Sequence, residues 1–248
     1  MNMNEQLPEF DNPPVIEVAL SVQFERLSLS AAHLGLVWEK FRGRFPVIQE
    51  MPELEAALER FDPPEKGVPG VRVEVGSMPI PRFWFINEAG SELVQVQRDR
   101  FIRNWRKTEG QPNYPRYDNL RTAFDSDWEI FASFASQESN AQLVPNQCEV
   151  TYVNIIEDAD TGQLERVIQW VNGSYSDDYL DNPEDAELKL RYVLKDEDEK
   201  PWGRLHIAVA RAIRPTDSKP VVRLSLTARG EPRTRDHRGS AGVAGQGA

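Results

Sequence analysis

Alternating apolar and polar residues over 15–24 predict a β-strand with one buried face. Ser30, a residue type that caps helix N-termini, then precedes a predicted helix that Pro46 ends. The apolar residues of this helix recur at intervals of three and four, at Leu34, Val37, Trp38, Phe41 and Phe45. The chain therefore opens with a strand and an amphipathic helix.

The next segment predicts a short helix and then three strands. Leu54, Ala57 and Leu58 have helical spacing within 50–61, so we expect a helix there. Prolines then impose a loop. The predicted strands span 71–75, 83–86 and 93–96. We expect the third strand to continue through Trp105.

A long helix is predicted over 117–137, where apolar and aromatic residues recur every three or four positions. From Glu149 the chain repeats its opening order, 132 residues after Glu17. A strand is followed by a candidate helix over 164–171, an acidic loop and three further strands. These last strands span 188–194, 205–209 and 222–226, and their short polar turns predict an antiparallel meander.

The patterns together predict an α+β fold. Two similar strand–helix–three-strand halves, 12–140 and 145–230, are expected to form antiparallel sheet in one compact unit, with long helices packed on one face. We expect residues 1–11 to be a flexible N-terminus and 231–248 to be a disordered tail.

We expect the second half to lack the closing helix of the first. After Arg229 the sequence is rich in glycine and arginine, and Val243 is its one large apolar residue. This composition is typical of a truncated or frameshifted C-terminus. Such a tail cannot cover a sheet. The sheet of the second half is then expected to be covered by a protein partner, to be covered by a second copy of the chain in a homo-oligomer, or to stay uncovered.

The composition is that of an acidic protein with a conventional core, with 40% hydrophobic residues and a formal net charge of -11. No apolar run approaches the roughly 18 residues that a membrane span needs, and the N-terminus has no secretion signal. We therefore predict a cytoplasmic protein with no membrane partner. The net charge makes nucleic acid an unfavourable partner. The single cysteine, Cys148, excludes an intramolecular disulfide.

Three motifs resemble a sporadically distributed family of uncharacterised bacterial proteins. The motifs are NPPVIEV at 12–18, QVQRDRFIRNWR at 95–106 and LSLTARG at 224–230. The resemblance implies no catalytic residue, because the family has no established activity. Members of the family typically continue past the last strand into a helix rich in apolar and aromatic residues, and this chain departs from them there.

The segment 95–107 is the best candidate ligand-binding site. Residues 98–107 hold five basic side chains against one acid, Asp99. Arginine suits phosphate or carboxylate, and Trp105 offers a ring for stacking. The candidate residues are Gln95, Gln97, Arg98, Asp99, Arg100, Arg103, Asn104 and Trp105. The alternative is a solvated edge strand whose arginines pair with the acidic loop at 177–185.

The sequence contains no catalytic, metal or cofactor motif. The acidic cluster at 177–185 lacks the glycine-centred spacing of a calcium loop. His33, His206 and His237 have no metal-ligand spacing, and His206 faces away from the apolar side of its strand. No glycine-rich phosphate loop follows a strand. We therefore predict no cofactor and no metal.

These features favour a non-enzymatic binding or interaction protein. One alternative is an enzyme or small-ligand module that binds phosphate or carboxylate in a pocket between sheet and helix, with the 98–105 segment at its mouth. A second alternative is single-stranded nucleic acid binding through the basic strand 98–107.

Overall fold

Nine strands form one sheet in the computed structural model of the protein, which describes residues 12–61, 80–110, 114–139, 143–157, 187–214 and 216–233. The strands are β1 (Val15–Phe24), β2 (Val47–Met51), β3 (Arg82–Ile86), β4 (Glu92–Gln97), β5 (Arg100–Arg106), β6 (Pro145–Ile156), β7 (Glu187–Lys195), β8 (Pro201–Ile213) and β9 (Pro220–Gly230). Their order across the sheet is β2-β3-β4-β5-β1-β6-β9-β8-β7. All neighbouring strands run antiparallel, and a single sheet includes both halves of the chain.

The described residues form two helices, α1 (Ala31–Phe41) and α2 (Tyr117–Ser139). The hydroxyl of Ser30 accepts a hydrogen bond from the backbone N–H of His33 and so satisfies one free donor at the start of α1. The predicted cap at Ser30 and the predicted helix over 117–137 are both confirmed.

The predicted α+β fold with long helices packed on one face is wrong. Helices of 11 and 23 residues stand beside nine strands, so the described part of the chain is mostly antiparallel sheet. The expected helix at 50–61 does not form: Met51 ends β2 and irregular backbone follows it. Pro52 has no backbone N–H to donate. The later N–H groups of this segment donate to glutamine side chains, whereas in a helix they would donate to backbone carbonyls four residues earlier.

Apart from the edge strand β2, the strand order is symmetrical about the central pair of β1 and β6. β5 pairs with β1 on one side, and β9 pairs with β6 on the other. Glu17 lies opposite Arg106 on β5 and is 3.2 Å from it, and Glu149 lies opposite Arg229 on β9 and forms the corresponding ion pair. The two halves therefore share a strand register.

The sheet has one apolar and one polar face, because its strands alternate residue by residue. On the apolar face of the first half, Phe101 packs with its ring centroid 5.2 Å from that of Phe131 and 5.9 Å from that of Phe124, both on α2. Phe41 of α1 lies on the same cluster, 6.3 Å from Phe101. The first half thus has a continuous aromatic core beneath two helices.

Several predicted elements lie outside the described residues. They are the N-terminus 1–11, the strand at 71–75, the helix at 164–171, the acidic loop at 177–185 and the tail from residue 234. Within the described part, neither helix is long and apolar enough to cross a membrane.

Candidate functional site

The residues predicted to form a site are divided between the two faces of the sheet. Gln95, Gln97, Arg100 and Asn104 lie on the polar face, as the register of β4 with β5 requires. Arg103 lies on the apolar face, where it is 2.8 Å from Asp127 and 2.8 Å from Glu92. The predicted set therefore does not converge on a single ligand.

Two of the predicted residues are part of the helix-covered core. The side chain of Arg103 neutralises Asp127, a fully buried residue on α2 that Arg44 also contacts. Trp105 is buried and packs edge-on against Tyr114 with ring centroids 5.6 Å apart. Burial removes Trp105 from any role as an exposed stacking surface.

The remaining two predicted residues, Arg98 and Asp99, form the tight turn between β4 and β5. Arg98 lies 3.8 Å from Glu53, and Asp99 accepts a hydrogen bond from the side chain of Gln97. The alternative interpretation of 98–107 as an edge strand is wrong, because β5 lies between β4 and β1.

On the polar face, four side chains form a straight row across four adjacent strands. Gln97 lies opposite Arg100, Arg100 lies opposite Gln23, and Gln23 lies opposite Gln147. The glutamines of this polar row are among the most buried polar residues of the protein. Amide groups at that depth need hydrogen-bond partners.

Residues 52–61, which we call the strap, supply those partners. The amide of Gln97 bonds both the N–H and the carbonyl of Leu54 at 3.0 Å. Arg100 then contacts the carbonyl of Glu55, Gln23 accepts from the N–H of Ala57, and Gln147 accepts from the N–H of Glu59. The polar row thus contacts the strap in sequence order through its main chain.

The strap is extended and crosses the strands roughly at right angles. Gln97 and Gln23 are two strands apart, which corresponds to about 10 Å at the usual strand spacing. The strap covers this distance between Leu54 and Ala57, and three residues reach about 10 Å only when they are nearly fully extended.

The far end of the strap is held by three basic side chains, Arg204, His206 and Arg229, which we call the Glu59 cage. The Glu59 carboxylate lies 2.6 Å from Arg204, 2.6 Å from His206 and 3.4 Å from Arg229, and its side chain is 6% exposed. Burial alone would raise the pKa of Glu59. The hydrogen bonds from Arg204 and His206 and the nearby charges outweigh burial and hold the pKa below its ordinary value near 4.5.

The apolar face of the second half is less covered than that of the first. Its residues on β7, β8 and β9 are mostly half-buried, and Tyr192 is 48% exposed. Val96 and Phe101 on the matching face of the first half are 0% exposed. The half-buried leucine and isoleucine residues of this face are Leu188, Leu190, Leu194, Leu205, Ile207, Leu224 and Leu226.

Other candidate chemistry is limited in the part of the chain that the structure describes. No cluster of three His, Cys, Asp or Glu residues there could hold a metal ion. Burial raises the pKa of the Cys148 thiol, which disfavours the nucleophilic thiolate. A pocket of about 640 Å³ lies at the β7–β8 turn, where charges of both signs line it.

Comparison with known proteins assigns no relative to this chain. No protein-family model, no curated protein and no solved structure matches it significantly. The resemblance to the bacterial family therefore stays a prediction that rests on the three motifs.

Sequence reasoning missed the strap and the Glu59 cage. Glu59 is separated from Arg204 by 145 residues and from His206 by 147, so no local spacing connects them. One part of the cage was predictable from the sequence. His206 alternates with apolar residues along its strand, and this pattern predicts its place on the polar face. The regular burial of Gln23, Gln97 and Gln147 has no equivalent signal, because glutamine usually faces solvent.

Proposed function

We propose that this chain is a non-enzymatic interaction protein that binds another protein surface with the apolar face of β7, β8 and β9. The difference in cover between the two halves is the observation that carries the proposal. Half-buried leucines and a 48% exposed Tyr192 continue the same sheet whose first half packs its aromatic core beneath α1 and α2. A partly exposed apolar surface of this kind is typical of interaction sites.

The expected occupant is an amphipathic helix with apolar and aromatic residues. In the first half, α2 provides that surface for β5 through Phe124 and Phe131. Leu224 occupies the position in β9 that Phe101 occupies in β5, because each lies five residues before the arginine that pairs with the equivalent glutamate, Arg229 or Arg106. In the purified protein a second copy is the available occupant, so we expect self-association.

The partners of the basic strand favour this function over the two alternatives. Arg98 pairs with Glu53, Arg103 with Asp127, and Arg106 with Glu17. An arginine that is already paired within the chain contributes less to phosphate or nucleic acid binding, because the internal pair must first be broken. Small-ligand and single-stranded nucleic acid binding at 98–107 are therefore the weaker proposals.

Adjacent substitutions on opposite faces test the proposed surface. Tyr192 faces the apolar side of β7, Val193 faces the polar side, and both are 48% exposed. We expect light scattering after size-exclusion chromatography to give a mass above the 28.3 kDa monomer for the wild type and for Val193→Lys. Tyr192→Lys should shift the mass towards the monomer, because it places a charge in the apolar surface.

A fluorescent dye that binds apolar surfaces separates the remaining outcomes. A monomer whose dye binding falls in Tyr192→Lys but not in Val193→Lys would indicate an open surface that is selective for a different protein. A 28.3 kDa monomer with equal dye binding in all three proteins would contradict the proposal.

A further inference from the structure

We propose that the polar row and the Glu59 cage form a binding site for an extended acidic peptide of another protein, and that the strap occupies this site as an internal ligand. The site lies on the polar face, opposite to the apolar surface of the proposed function, and does not depend on it. The contacts that hold the strap support this proposal.

Main-chain recognition is the first argument. Each contact from the polar row goes to a backbone group of the strap, at Leu54, Glu55, Ala57 and Glu59. Any extended chain presents the same groups at the same spacing. The row is therefore suited to an extended peptide whatever its side chains, provided that the strap has moved away.

Charge complementarity is the second argument. Near the start of the strap, Glu53 is 3.0 Å from Arg26 and 3.8 Å from Arg98. At its end, Glu59 enters the cage of Arg204, His206 and Arg229. Without Glu59, two guanidinium groups and an imidazole would face a single described acid, Glu149, which pairs with Arg229. The site thus selects a peptide with acidic side chains about six residues apart.

The strap is attached to the protein from one side only. Its backbone bonds go down to the side chains of the sheet, whereas outward residues such as Leu58, at 44% exposure, face solvent. The strap also belongs to no strand ladder. Its release requires the loss of side-chain contacts and leaves the nine-stranded ladder intact, which is a local opening.

A labelled peptide of the strap sequence, PELEAALERF, provides the binding test. We expect fluorescence anisotropy to show about tenfold tighter binding to Glu59→Gln protein than to the wild type, because the variant weakens the internal competitor. The control peptide with glutamine at the Glu59 position should bind Glu59→Gln protein about tenfold more weakly than the acidic peptide. Adding Arg204→Ala to Glu59→Gln should abolish binding of the acidic peptide.

Hydrogen exchange keeps the proposal testable even if a variant folds poorly. In the wild type, the amides of Leu54, Ala57 and Glu59 should exchange faster than those of β1 and β6. Exchange of these three amides only at the rate of global unfolding would overturn the proposal, since the strap would then be a fixed part of the fold. Equal affinity for the two peptides, or no binding to a folded Glu59→Gln protein, would overturn it as well.

Discussion

The two halves of this sheet differ in what lies on their apolar faces rather than in how their strands pair. In the first half, Phe101 of β5 packs among aromatic residues of α2. At the equivalent register position of β9, Leu224 belongs to a small cluster around Val209 and Val222. Alternation thus determines which face of a sheet is apolar, whereas the cover of that face depends on an element elsewhere in the chain or in a partner.

The largest expected difference between the halves is in the cost of truncating these equivalent residues. Phe101→Ala should lower the free energy of unfolding by about 3–5 kcal/mol, because it leaves a cavity in a closed core. Leu224→Ala should cost about 1–2 kcal/mol, since its side chain is only partly removed from water. Urea denaturation of both variants measures the two values. Equal losses would remove the distinction between a closed and an open half.

A smaller effect is expected where the strap joins the halves across the polar face. At pH 7, Glu59→Gln should lower the free energy of unfolding by about 1–2 kcal/mol, because a charged hydrogen-bonded group becomes neutral. The lowered pKa of Glu59 means that its contribution is complete above the ordinary value near 4.5 and is lost as the pH falls through the folded-state pKa.

Urea denaturation at several pH values checks this dependence on acid. The stability gap between the wild type and Glu59→Gln should be present at pH 7 and should close as the pH falls through the folded-state pKa of Glu59. A gap that persists unchanged well below the folded-state pKa would show that the cage does not stabilise the Glu59 carboxylate.

Local patterns were sufficient for much of the secondary structure. The strand over 15–24, the cap at Ser30 and the helix from Tyr117 follow from alternation, capping and helical spacing alone. The prediction of a helix at 50–61 was wrong because the backbone of this segment bonds to Gln23, Gln97 and Gln147. These glutamines are distant in sequence, so the helical spacing of the segment gives no sign of them. Tertiary contacts override a short helical pattern in such a case.

The candidate site was predictable only in part, for a reason that Arg103 illustrates. A run of arginines beside a tryptophan indicates a basic surface when each side chain is counted separately. Strand parity places Arg103 and Trp105 on the covered face and Arg100 on the other, so two residues of the apparent patch belong to the core. Asp127, which Arg103 neutralises, is 24 residues away and has no motif that connects it to β5.

Hydrogen exchange measured at several protein concentrations tests whether the apolar face of β7, β8 and β9 is a surface for another protein. Exchange in these strands should slow as the protein concentration rises, because association stabilises them locally, while exchange in β3, β4 and β5 should not change. Tyr192→Lys should remove the effect. Exchange that slows equally in both halves would contradict this assignment. Exchange that is independent of concentration would contradict it as well if Tyr192→Lys also left dye binding unchanged.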